Sequence, residues 1–148
     1  MRVIERMVAL RDVGKTTCAT VEVRQLVSGP RGADVVAQAH GFRSIASAWD
    51  EISAADAHAI VATLLHRDLA YGQVIMPFDK AADLATQLFD LVPEPHTYFT
   101  NGEWARSAGD SDPAELRSFN PISDATLDSG VVCLGDGRAA LFWVEDED

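Results

Sequence analysis

The sequence predicts an α+β fold, with a mainly antiparallel sheet packed against two central helices and closed by a C-terminal β-hairpin. Three observations predict it. A β-branched stretch comes early, the two clearest 3.6-residue apolar periods lie mid-chain, and strand-like runs flank a Gly-Asp-Gly turn at the end. The 148 residues have the size of one domain, and no internal repeat or linker divides them, so 1–148 reads as a single globular unit.

Taken in order, Val3, Ile4, Met7 and Val8 fit a helical stripe, although their β-branched members also permit a strand. Thr17 to Arg24 reads as a strand with Ala19, Val21 and Val23 on one face. Ser28-Gly29-Pro30-Arg31-Gly32 has the composition of a turn, and Asp34 to His40 reads as a short strand ending at Gly41. Ser53 is placed to cap the first central helix, whose stripe is Ala57, Ile60, Val61, Leu64 and Leu65, with Gly72 beyond its end. Asp79 is the expected cap of the second, which carries Ala81, Leu84, Ala85, Leu88, Leu91 and Val92 and stops at Pro93. His96 to Thr100 reads as a strand meeting a turn at Asn101-Gly102. Residues 105–128 read as loop, with one helical turn at Ala114 to Ser118. Val131 to Leu134 and Ala140 to Val144 form the closing hairpin.

Charge is the most distinctive feature. The net charge is −11, yet residues 1–75 hold eight basic and eight acidic side chains. Residues 76–148 hold fifteen acids against Lys80, Arg106, Arg117 and Arg138, and end in Glu145-Asp146-Glu147-Asp148. Such a field repels phosphates and anionic membrane and attracts basic partners, so nucleic acid and membrane are not expected ligands. The charged start, Met1 to Arg6, lacks the apolar stretch of a signal peptide, which makes the cytoplasm the expected compartment. Ten arginines against two lysines, with abundant alanine, fit a GC-rich bacterial genome. Cys18 and Cys133 stand apart in strand-like surroundings and read as buried reduced thiols.

Motifs of chemistry are incomplete. Gly14-Lys15-Thr16-Thr17 ends like a phosphate-binding loop, but Ala9 stands where that loop needs glycine. His66-Arg67-Asp68-Leu69-Ala70 is similar to the protein-kinase catalytic loop, but Gln73 replaces its magnesium-binding Asn, and no Gly-rich loop or Asp-Phe-Gly accompanies it. His58 and His66 are eight residues apart, too far along one helix for a single metal ion, and His40 and His96 have no ligand-spaced partner. Calcium-loop spacing from Asp110 and Asp112 fails at Ala114 and Glu115. No catalytic residue, cofactor or metal is assigned.

The expected function is therefore a small acidic protein-binding module that masks a basic partner. In size, charge and lack of a catalytic signature it resembles bacterial immunity proteins that neutralise nuclease toxins, although no motif carries that resemblance. The expected contacts are Asp110, Asp112, Glu115, Asp124, Asp128, Glu145 and Asp146, with Trp104 as apolar anchor. Two alternatives come from other classes. One is a small enzyme using His40 or His96 beside a loop carboxylate, and the other is a homo-oligomeric accessory protein that pairs through the edge of the final hairpin.

Overall fold

The computed structural model describes residues 2–25, 27–106 and 112–148. The elements run α1 Val3–Leu10, β1 Lys15–Glu22, α2 Gly29–Ala39, β2 Asp50–Ile52, α3 Ala54–His66, α4 Phe78–Phe89, β3 Thr97–Thr100, β4 Gly102–Ala105, β5 Glu115–Phe119, β6 Leu127–Leu134 and β7 Arg138–Asp146. Five strands form one antiparallel sheet in the order β1-β7-β6-β3-β2, and β4 and β5 form a separate antiparallel ribbon. The fold is α+β, as the sequence predicts.

Both faces of the large sheet are covered, because the central strands alternate apolar residues on two sides. Ala140, Phe142 and Val144 of β7 join Val131 and Cys133 of β6 beneath α1, α3 and α4, where Met7, Ile60, Leu64, Leu84 and Leu88 are enclosed. Ala139, Leu141 and Trp143 join Val132 and Phe99 on the opposite face, under Ala33, Val36 and Ala37 of α2. Burial pushes the Cys133 thiol up to about 12, and the Cys18 thiol likewise, so neither is a ready nucleophile.

Several local expectations are corrected. The stretch read as a turn and a strand is helix α2, with Pro30 in its first turn. Proline suits that position, since its missing N–H has no partner there, and Ala33, Val36 and Ala37 supply the stripe that meets the sheet. Ser53 caps α3 through the Asp56 N–H at 3.1 Å, as expected, but Pro77 rather than Asp79 occupies the N-cap of α4. Helix α4 ends at Phe89, which leaves Leu91 exposed while Val92 turns inward. In place of a helical turn at 114–118 there is strand β5, because β4 offers it a ladder from Gly102 to Ala105. The final hairpin is interior to the sheet rather than at its edge: β1 pairs along β7, and β3 pairs with β6 at residues 132–134.

One buried carboxylate fixes the α2 side. Asp34 accepts hydrogen bonds from Ser44 Oγ at 2.8 Å, Ile45 N at 2.9 Å and Trp49 Nε1 at 2.7 Å, which folds residues 44–49 back onto the helix. Burial acts to raise its pKa, but the bonds from Trp49, Ser44 and the backbone of Ile45 and Ala46 outweigh it and hold the carboxyl below its ordinary value. A folded value below the unfolded one gives stability that is complete above the unfolded pKa of about 4 and is lost as pH falls through the lowered value. Asp34→Asn will therefore cost about 1–3 kcal/mol at neutral pH, and its urea midpoint will converge on the wild-type one below about pH 4. A gap that stays constant from neutral to acid pH would exclude the carboxylate as its source.

Candidate functional site

The site is built outward from one enclosed ion pair. Arg11, at the C-terminal end of α1, is 2% exposed and reaches Asp146 at the end of β7. Its guanidinium meets the carboxylate with both arms, Nη1 to Oδ1 at 3.0 Å and Nη2 to Oδ2 at 2.7 Å. Two further donors serve the backbone, Nε to Leu64 O at 2.6 Å and Nη1 to Val13 O at 2.8 Å. Asp146 Oδ2 also accepts the Leu69 N–H at 2.8 Å. One arginine–carboxylate pair thus ties together the α1–β1 turn, the end of α3, the segment after it and the last strand. Gly14 lets the chains approach, since a Cβ there would stand 2.2 Å from Asp146 Oδ1 and 2.5 Å from Glu145 O.

The segment after α3 is a closed turn. Arg67 and Val74 form a β-bridge, and Ile75 N donates to His66 O at 2.6 Å. Within the turn, buried Asp68 accepts from Tyr71 N at 2.8 Å and from Gln73 N at 2.6 Å, and Gly72 takes the left-handed conformation at φ 68°. Asp68, the aspartate of the kinase-like pentapeptide, is thus a turn-former whose carboxylate is occupied by backbone N–H groups. The turn leaves Tyr71 and Val74 exposed at 70% and 68%. On one flank, Arg67 Nη2 donates to Ala114 O at 2.9 Å, and Thr63 Oγ1 accepts from Ala114 N at 2.8 Å. These two bonds fix Ala114 beside the turn.

A second enclosed carboxylate, Asp128, lies at the same end of the sheet as Asp146 but on its other face. It is fully buried and accepts from Trp143 Nε1 at 3.0 Å, Ile122 N and Asn101 Nδ2 at 3.2 Å, and Ser123 Oγ at 2.9 Å. Its bonds fasten residues 120–123, from which Asp124 projects almost fully exposed to pair with Arg43. An open cleft of about 590 Å³ lies here, lined by Lys15, His40, Arg43, Asp124, Glu145 and Glu147 among others.

The expected contact residues therefore divide. Asp112, Glu115 and Asp124 are exposed, and Glu145 is half-buried opposite Lys15. Asp128 and Asp146 are enclosed and hold the fold together, which corrects their assignment as partner contacts. Trp104 on β4 packs half-buried against the helical core, with its Nε1 buried and unbonded, so the anchor role assigned to it is not supported by exposure. Asp110 lies outside the described residues. Sequence reasoning missed Arg11, Asp34 and Asp68 as organising residues, and Tyr71 and Val74 as exposed apolar groups. A signal for the last two was present in an aromatic and a valine set around Gly72, just past a helix end.

The histidines do not converge. His40 bonds Val36 O, His58 bonds Ala54 O, His66 bonds Met76 O, and His96 bonds Val92 O and the Tyr98 hydroxyl. Among the described residues none of them hydrogen-bonds a carboxylate, and no three His, Cys, Asp or Glu side chains gather as a metal site. Among the described residues no helix is long and apolar enough to cross a membrane. Compared with known proteins, the chain matches no family model, and no curated protein or solved structure matches it significantly.

Removing one partner of the Arg11–Asp146 pair leaves the other charge enclosed. Asp146→Asn and Arg11→Met are each expected to lower unfolding free energy by about 3–5 kcal/mol in urea titrations. Combined, they should cost less than the sum of the two, because the second change removes the stranded charge. Additive losses would show that the two side chains act independently.

Proposed function

We propose that this chain is a protein-binding module of the immunity type, which uses an anionic surface to mask a basic partner such as a nucleic-acid-cleaving toxin. One observation carries the reading. The exposed acids Asp112, Glu115, Asp124, Glu147 and Asp148 follow or flank segments that buried polar contacts hold in place. Charges displayed on fixed backbone lose little conformational freedom on binding, so more of the Coulomb attraction remains as association rate and specificity. A partner that grips phosphate carries the complementary charge, and covering that charge would block its access to nucleic acid.

The enzyme alternative has less support. It needs a histidine and a carboxylate within reach of each other, and the four rings are instead bonded to backbone carbonyls in separate places. His40 shares a cleft with Asp124, Glu145 and Glu147, but its ring bonds Val36 O.

The test is affinity capture of a basic partner at low and high salt, using wild type and the triple variant Asp112→Asn, Glu115→Gln, Asp124→Asn. The expected result is an association rate lowered about tenfold both by the substitutions and by raised salt, while the unfolding free energy moves by under about 0.5 kcal/mol. A partner retained equally by both proteins at every salt concentration would overturn the electrostatic reading.

A further inference from the structure

We propose that the turn at residues 68–74 is the apolar anchor of this interface, with Tyr71 and Val74 inserting into a basic partner between two groups of acids. The inference rests on the binding-module reading and replaces Trp104 as anchor. Tyr71 and Val74 are the most exposed large hydrophobics among the described residues, at 70% and 68%. Exposure alone carries little, but three further features single out this turn.

The first is rigidity. Asp68 accepts two backbone N–H bonds within the turn, Arg67 and Val74 bridge its ends, and Leu69 N is held by the enclosed Asp146 carboxylate. An aromatic on a closed turn presents contact area with little left to freeze. Tyrosine adds a hydroxyl that stays wet at the rim or bonds a partner group on burial.

The second is the charge around it. Arg67 fixes Ala114, and so places exposed Asp112 and Glu115 on one flank. On the other flank, Arg11 is followed directly by exposed Asp12, and exposed Asp148 lies two residues beyond its partner Asp146. Glu147 turns to the opposite face and bonds Thr126. Tyr71 is two residues from Leu69, a span of at most about 7 Å, so the apolar tip stays close to the carboxylate that joins these segments. Exposed Lys15 and Arg117 lie on neighbouring strands, and Arg67 is itself engaged by Ala114 O. Four exposed acids around an apolar tip, Asp12, Asp112, Glu115 and Asp148, select a partner with an apolar socket rimmed by lysine or arginine.

The third is the absence of an internal use for the pair. Asp68 shapes the turn through the backbone of residues 71 and 73, so the turn forms whatever side chain stands at 71. Tyr71→Ser should consequently leave the fold intact.

The experiment titrates the ¹⁵N-labelled full chain with two synthetic peptides, one rich in lysine and leucine and one rich in lysine and serine. The expected result is that the lysine–leucine peptide shifts the amides of residues 68–74 together with 12, 112, 115 and 148. It should bind more tightly than the lysine–serine peptide, and about tenfold more tightly to wild type than to Tyr71→Ser. Shifts confined to acids elsewhere, such as Asp79, Asp83 and Asp90 along α4, would overturn the anchor and leave the binding module standing. So would equal affinity for the two peptides. No salt-sensitive shift with either peptide would overturn both.

Discussion

The Arg11–Asp146 pair is the constraint on which the rest of the arrangement depends. An arginine with 2% exposure has no water to satisfy its donors, so protein oxygens must be brought to it. Neighbouring Val13 and two stretches distant in sequence, 64–69 and the end of β7, supply or share them, through Leu64 O, Val13 O, the Asp146 carboxylate and the Leu69 N–H on that carboxylate. Closing that set fixes where α1 ends, where α3 releases the chain and how far β7 runs. The pair contributes little as bare Coulomb energy once desolvation is subtracted. Its effect is to specify geometry, since any slip of one segment strands a charge.

The same device recurs at smaller scale. Asp34 gathers residues 44–49 onto α2, Asp68 closes the turn after α3, and Asp128 fastens residues 120–123 to the sheet beside Trp143. In each case a carboxylate accepts backbone N–H groups that irregular chain would otherwise leave unpaired inside the protein. The layered core of apolar side chains holds helices to sheet, but the connections are shaped by these acids. Net charge alone therefore does not locate the acids available to a partner, because some of them are enclosed and engaged in hydrogen bonds.

That division explains what the sequence revealed and what it withheld. Helices α3 and α4 and the β6–β7 hairpin were legible because periodicity and turn residues agree with the tertiary outcome. Helix α2 was not, since Gly29, Pro30 and Gly32 look like a turn until the sheet offers Ala33, Val36 and Ala37 a surface. Strand β5 depends on a partner, β4, that local pattern does not announce. Asp128 and Asp124 sit in nearly the same local composition, yet one is fully buried and the other exposed. The parity of the strand held the missing signal. Asp146 continues the inward series Ala140, Phe142, Val144, and Asp128 shares the face of Val132 and Leu134, so both acids point where apolar residues point.

An acid on the inward parity of a central strand belongs to the architecture, as does one such as Asp68 whose enclosed carboxylate is filled by backbone N–H groups, and the others among the described residues stand on the surface. Applied here, the rule separates Asp128 and Asp146 from Asp112, Glu115 and Asp124, although all five stand in the acidic half of the chain. It also links the two sets. Arg11 and Asp146 place the segments that carry Asp12, Glu147 and Asp148, while Thr63 and Arg67 place the one that carries Asp112 and Glu115. Neutralising an interior acid would weaken any interface indirectly, by releasing the backbone that displays the exterior ones. Neutralising an exterior acid would change the field and leave the backbone in place. Loss of binding therefore identifies a contact residue only when stability is unchanged, and for this chain the two effects fall on acids that are neighbours in sequence.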